Sequence, residues 1–420
     1  MLLRVLVAML LLFPIVTKAL AADPSPLDAA AQRVADQLDS SKPNRGKYSE
    51  WFSDAFMKAV PEAQLTAVFQ QVSAQYGTVQ RVLPRPENQK LSGVFDLQFA
   101  MVQIPMTLSI DAAPPYRVTG LLLGNPVPRL RSLDEVKSRL GKLHGTVGAK
   151  LTSLKDDKSL LEVNAEKPLA IGSAFKLYIL AELVRQKKPW ETVITLKEEM
   201  KSLPSGDLRT WPAGSPLTLH TLAVKMISQS DNTAADVLLN VAGRGKVEAA
   251  LAELGMKEPA RNVPFLSTME AFRLKADKAA AKDYLAADAP GRAKLLAAMG
   301  SRPEPTLEQF ATDKPMDIEH LEWFASASDM CRLMKWFDTG DDKKALEILS
   351  VNPGLPISDR KFPLVAFKGG SESGVLNLTY LLRSAKGNHY ALAITWNDPN
   401  AEVDLQEMAG IVLATVDLVE

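Results

Sequence analysis

The chain has 420 residues, 46% of them apolar and 23% charged, with 49 Lys+Arg against 49 Asp+Glu. Charge in balance gives no bulk field for a nucleic acid or an acidic partner, and the length suggests two or three domains. One cysteine, Cys331, excludes an internal disulfide, and the four histidines, at 144, 220, 320 and 389, lack metal-ligand spacing, which argues against a zinc site and against histidine as a base.

Met1-Leu2-Leu3-Arg4 is a short basic start, residues 5–16 are almost wholly apolar, and Ala19-Leu20-Ala21 has the small-x-small form of a cleavage site. Residues 1–21 therefore read as a signal peptide, with the mature chain beginning near Ala22. The apolar run is short for a membrane span, and no cysteine near the cleavage site could carry a lipid. The expectation is an exported protein, periplasmic or secreted, with no stable membrane span after cleavage.

Residues 23–128 read as a small accessory domain. Apolar spacing predicts helices over 25–38 and 46–60 and a third from Pro61 to before Gly77. The period then changes to two, predicting strands over 79–83, 90–99, 102–110 and 116–123. Helices followed by antiparallel strands give an α+β sandwich. The order resembles cystatin and NTF2-like accessory domains, which implies a docking or substrate-delimiting module. Pro126-Val127-Pro128 reads as a linker.

Residues 129–420 begin with a predicted helix at 133–143 and strands at 145–154 and 160–163. An apolar helix from about 171 to 184 follows, then a mostly helical middle at 217–349. Strand-like runs at 362–368, 375–384 and 390–396 and a helix at 403–416 close the chain. An antiparallel sheet is thus built from the two ends of the domain, with an all-helical insert between them.

Three short stretches carry chemistry. Ser173 stands at the helix start after Gly172, and Lys176 follows on the same face. A desolvated lysine can sit neutral and take a serine proton. Ser230-Asp231-Asn232 lies between two helices, offering a second hydroxyl for proton relay and an amide for a substrate carbonyl; the same residues also favour helix caps. Lys368-Gly369-Gly370-Ser371 ends a late strand, with a cation for an anionic substrate group and a backbone N–H at Ser371 aimed from the strand edge.

Singly these stretches are common, but Ser-x-x-Lys, Ser-Asp-Asn and Lys-x-Gly in this order resemble the serine β-lactamase and penicillin-binding-protein superfamily. The run Met226-Ile227-Ser228-Gln229-Ser230-Asp231-Asn232-Thr233-Ala234-Ala235-Asp236 is similar to the class A form of the second motif. The whole resembles two-domain class A β-lactamase-like hydrolases of the clavulanic-acid-cluster and mycobacterial lipoprotein type. The resemblance implies Ser173, Lys176 and Ser230 as catalytic residues, and Asn232, Lys368, Gly370 and Ser371 as substrate-binding and oxyanion residues. It implies no cofactor, no metal, and a small β-lactam or ester substrate. A carboxylesterase or peptidase of the same fold, and a non-hydrolytic penicillin-binding protein, are the alternatives.

Two departures stand out. Gly369 replaces the Thr or Ser of the third motif, leaving Ser371 or Ser373 to supply a hydroxyl. No E-x-x-L-N follows the second motif, and in class A enzymes that glutamate holds the deacylating water. Glu258, Glu270 and Glu322 are candidates by position.

Overall fold

The structure, a computed structural model, describes residues 25–38, 48–85, 88–310 and 314–419. The expected export segment, 1–21, lies outside the described residues. The chain divides into two compact units, Met1–Pro126 and Val127–Glu420, so the division falls inside Pro126-Val127-Pro128.

In the first unit, helix Pro26–Gln37 begins where Ser25 Oγ accepts from the Asp28 N–H and Pro26 presets φ at the first helical position. The stretch expected as one helix over 46–60 is broken in its described part into Tyr48–Trp51 and Asp54–Ala59. Ser53 makes the break: its N–H donates to Val118 O on a strand, and its Oγ caps the second piece at the Phe56 N–H. Phe52 and Phe56 still stack 4.8 Å apart, so the apolar spacing that signals one helix survives the interruption. Helix Glu62–Tyr76 follows. Strands β1 (Arg81–Pro84), β2 (Ser92–Gln98), β3 (Val102–Ile110) and β4 (Val118–Leu123) pair antiparallel in that order. On β3, Ile104, Met106, Leu108 and Ile110 are buried at every second residue, as on a strand with one face on a core. They share that core with Leu27, Val34 and Phe69 of the helices.

The second unit is built on a five-stranded antiparallel sheet. Its strands are β5 (Thr146–Ser153), β6 (Ser159–Val163), β7 (Leu364–Glu372), β8 (Val375–Arg383) and β9 (His389–Asn397), in the order β7-β8-β9-β5-β6. The two ends of the unit meet where β9 pairs with β5. Every residue from Val375 to Leu382 is buried, so the central sheet is covered on both faces. Helices Leu133–Leu140 and Leu405–Leu418 cover one face through Val136, Leu140, Met408 and Ile411. The helical insert covers the other, with Met330, Leu333 and Met334 of helix Ala327–Thr339 in one core with Leu381, Ala391 and Ala393. Two short strand pairs accompany the insert's helices, Val193–Thr195 with Pro216–Thr218 and Leu169–Ala170 with Phe324–Ala325. Segments of two or three residues are too short to show a period in sequence.

Candidate active site

Pairing of Leu169–Ala170 with Phe324–Ala325, and the Ile171 N–H bond to Trp323 O, deliver the chain to a 3₁₀ turn, Gly172–Phe175. The α-helix proper, Lys176–Arg185, starts at the lysine. Ser173 thus sits not in a first α-turn, as the sequence suggested, but in the tighter turn before it, where side chains three apart eclipse. Lys176 Nζ lies 3.2 Å from Ser173 Oγ. Phe175 holds the turn by stacking on Trp323, with ring centroids 3.8 Å apart and planes 12° from parallel.

Helix Leu219–Ser228 ends just before Ser230, which is in the left-handed region at φ 57. Asp231 N-caps the next helix, Asn232–Ala242: Oδ1 accepts from the Ala234 N–H at 2.7 Å and Oδ2 from the Leu208 N–H at 2.9 Å. Both its oxygens are committed to holding the backbone. A left-handed non-glycine residue costs about 1–3 kcal/mol and persists where the surroundings over-determine it. Here it turns Ser230 O to 2.5 Å and Ser230 Oγ to 3.2 Å from Lys176 Nζ. Asn232 Oδ1 lies 2.7 Å from the same nitrogen, and its Nδ2 donates to Leu203 O, which settles the amide's orientation. The first role of Asn232 is therefore inward, toward the lysine; a substrate carbonyl is left its second N–H.

Lys368 projects from β7, with Nζ 3.1 Å from Ser230 Oγ, and it also donates to Gly369 O. The strand does not end at Lys368: Gly369, Gly370 and Ser371 stay in the ladder opposite Leu378, Asn377 and Leu376. β7 is the sheet's edge strand, and its outer backbone edge meets the 3₁₀ turn. A Cβ at Gly370 would sit 2.0 Å from Ile171 O and 2.6 Å from Ser173 N, and one at Gly172 would sit 3.1 Å from Ser371 N. Two glycines thus let two backbones touch, bringing the amides of Ser173 and Ser371 to one place. Of the two hydroxyls proposed to replace the missing one, Ser373 is bonded to Glu402, while Ser371 is exposed.

Burial depresses Lys176 far below an ordinary lysine, and the Lys368 charge depresses it further; Asp236 and Asp231 oppose this. Burial alone lowers Lys368 to about 7. Asp236, which closes the run around the second motif but has no role assigned from sequence, is raised to about 6 by burial although the N–H groups of Thr268 and Met269 donate to it at 2.7 and 3.0 Å. Ser205, unremarked in the sequence, donates from Oγ to Ser230 O, and its backbone carbonyl accepts from the Asn232 N–H. The partners of both lie more than twenty residues away, so no local pattern reports what they bond.

Two of the three positional glutamates are engaged elsewhere. Glu270 closes a capping box with Ser267 and accepts from Arg244 with both oxygens. Glu322 is buried against Lys275 at 2.5 Å. Glu258 is exposed ahead of the turn Pro259–Asn262. Among the described residues, no carboxylate is hydrogen-bonded to Ser173, Lys176 or Ser230.

An antiparallel sheet made from the two ends of the domain, a helical insert, and a serine turn against the edge strand define the β-lactamase-like serine hydrolase fold. The chain belongs to the β-lactamase enzyme family, whose profile matches residues 132–416. Among solved structures it is similar to a β-lactamase from Sphaerobacter thermophilus at 19% identity, covering 69% of this chain and 94% of that one, TM-score 0.49. It is similar to a β-lactamase from Chitinophaga pinensis at 18% identity, covering 68% and 97%, TM-score 0.48, and to PBP-A at 15%, covering 68% and 94%, TM-score 0.46. No curated protein matches the chain.

Proposed function

We propose that this protein is an exported serine acyl hydrolase that opens a β-lactam, or a related amide or ester, through an acyl-enzyme on Ser173. The observation that carries this is the set of partners around Lys176 Nζ. Ser230 O and Asn232 Oδ1, at 2.5 and 2.7 Å, can only accept. A neutral amine gives its two N–H groups to them and keeps its lone pair for a hydroxyl. Ser173 Oγ and Ser230 Oγ, each at 3.2 Å, are the hydroxyls within reach. Burial favours the neutral form, as a base requires.

In this reading Ser173 Oγ attacks the carbonyl carbon as its proton passes to Lys176 Nζ. The proton then moves by way of Ser230 Oγ to the departing nitrogen or oxygen. The oxyanion rests between the N–H groups of Ser173 and Ser371, an arrangement in which one donor is worth about 10²–10³ in rate. Lys368 and Asn232 orient the substrate. Water completes the cycle, and the lack of a carboxylate at the serine among the described residues favours a long-lived acyl-enzyme, as in a penicillin-binding protein. Export is supported by the basic, apolar and small-x-small run of residues 1–21. Among the described residues no helix is long and apolar enough to cross a membrane.

Labelling with a fluorescent penicillin and with a fluorophosphonate tests the nucleophile. Ser173→Ala should abolish both labels with the circular dichroism spectrum unchanged; a label that survives would remove Ser173 from the mechanism. Parallel turnover of a chromogenic cephalosporin and a nitrophenyl ester separates β-lactamase from esterase.

A further inference from the structure

Helices Thr268–Ala276 and Lys278–Ala286, together with residues 314–321, line a cavity of about 820 Å³, within the size range of small-molecule sites. Lys275 stands in its wall but brings no free charge: Nζ bonds Glu322 Oε1 at 2.5 Å and Glu372 Oε1 and Oε2 at 2.5 and 2.6 Å. Lys278 and Lys282 differ. Both are exposed, both line the cavity, and neither has an ion pair among the described residues. They lie four apart on one helix, so their ammonium groups share a face. Beside them Ala281 and Leu285 form a second, apolar ridge at the same spacing, which Leu274 and Leu321 extend. The lining carboxylate, Asp317, is held by His320 Nδ1 at 2.7 Å.

We propose that this cavity binds an amphipathic organic carboxylate. Its chain lies along Ala281 and Leu285, and its carboxylate meets Lys278 and Lys282. Two cations with no ion pair among the described residues, beside a continuous apolar surface, match a ligand that carries both features and match neither a plain alcohol nor an inorganic anion. Ser173, Lys176, Ser230 and Lys368 are not among the residues that line it, so the proposal does not depend on the serine's chemistry. It backs onto β7, because Glu372, the partner of Lys275, follows Ser371, and a Cβ at Gly374 in the next turn would strike Pro315 of the cavity wall.

Isothermal titration of the full chain with octanoate tests this. Octanoate should bind saturably. Hexanoate, two methylenes shorter, should bind about 15-fold more weakly, since each buried methylene is worth about fourfold. Octanol should bind about five- to tenfold more weakly than octanoate, and so should octanoate to the Lys278→Gln, Lys282→Gln variant, whose exposed positions leave folding intact. Ala281→Trp, which sets an indole across the apolar ridge where the chain of the ligand would lie, should weaken binding. No saturable octanoate signal, equal affinity for octanol, or unchanged affinity in the glutamine variant would overturn the proposal. Ser173→Ala should bind octanoate as the wild type does, whatever the fate of the acyl-enzyme reading. Loss of binding there would move the ligand to the nucleophile and also overturn the proposal.

Discussion

Lys176 and Lys368 reach the same oxygen: their Nζ atoms lie 3.2 and 3.1 Å from Ser230 Oγ. Two ammonium groups on one hydroxyl repel each other, and burial of the two lysines disfavours each charge separately. Lys368 is brought by burial to about 7, and Lys176 is held far below its usual value by burial and by Lys368. Covalent labelling by a penicillin, which carries a carboxylate, should therefore slow as pH rises through about 7 and Lys368 loses its charge. A neutral ester should show no such falling limb, and Lys368→Met should remove the limb for penicillin. Second-order labelling rates between pH 5 and 9 decide this; identical profiles for the two substrates would exclude Lys368 as the carboxylate partner.

The same depression makes a stability statement. The folded pKa of Lys368, about 7, lies below the unfolded value of about 10.5, so between them the unfolded chain binds the extra proton. This contribution to stability is full above about 10.5 and is lost as pH falls through about 7. Lys368→Met should stabilise the protein at pH 7, by on the order of 1–3 kcal/mol, and lessen the rise in stability toward pH 9. Urea unfolding of both proteins at the two pH values gives the answer.

Lys176→Arg keeps a cation in reach of Ser173 but cannot supply a neutral base. Acylation should fall by about 10²–10⁴, the usual range for a lost positioned base. Stopped-flow labelling measures it. A normal rate would pass the role of base to Ser230 or to water.

Gly370→Ala would push a methyl group onto Ile171 O and Ser173 N, both backbone atoms that cannot turn aside. The edge strand must then draw back from the 3₁₀ turn, carrying the Ser371 amide with it. Acylation should fall by about 10²–10³, the effect of losing one oxyanion donor. Overpacking should also cost about 1–3 kcal/mol, read as a lower thermal midpoint.

The acyl-enzyme, once formed, should persist. In the proposed mechanism acylation needs only Ser173, Lys176 and the oxyanion amides, whereas no carboxylate among the described residues is bonded to Ser173, Lys176 or Ser230. Intact-protein mass spectrometry after mixing with a penicillin should show a lasting gain of one drug molecule, with a burst followed by slow release. Small esters should turn over faster. Prompt return to the free mass would mean that a base serves the water from a position the hydrogen bonds do not mark.

The sequence by itself determined whatever rests on neighbours within about four residues. Apolar spacing and its changes of period marked the strands and most helices, because burial of one face writes that period directly. The offset of three between Ser173 and Lys176 put two functional groups on one side of a turn. The order of Ser173, Ser230 and Lys368 along the chain suggested a set that the fold links contact by contact, Ser173 to Lys176 at 3.2 Å, Lys176 to Ser230 at 3.2 Å and Ser230 to Lys368 at 3.1 Å.

Tertiary structure alone decided what depends on distant partners. The break at Ser53 comes from the carbonyl of Val118, which no spacing in 46–60 reports. Glu322 looked like a candidate base until Lys275, 47 residues away, took its oxygen. Gly370 is required because Ile171, far off in the chain, passes within 2.0 Å of where its Cβ would be. The charge of Lys176 is likewise a property of its surroundings. The same side chain in solvent is a cation, and only packing, by excluding water and setting Lys368 and two acceptors around it, makes the neutral amine the favoured form.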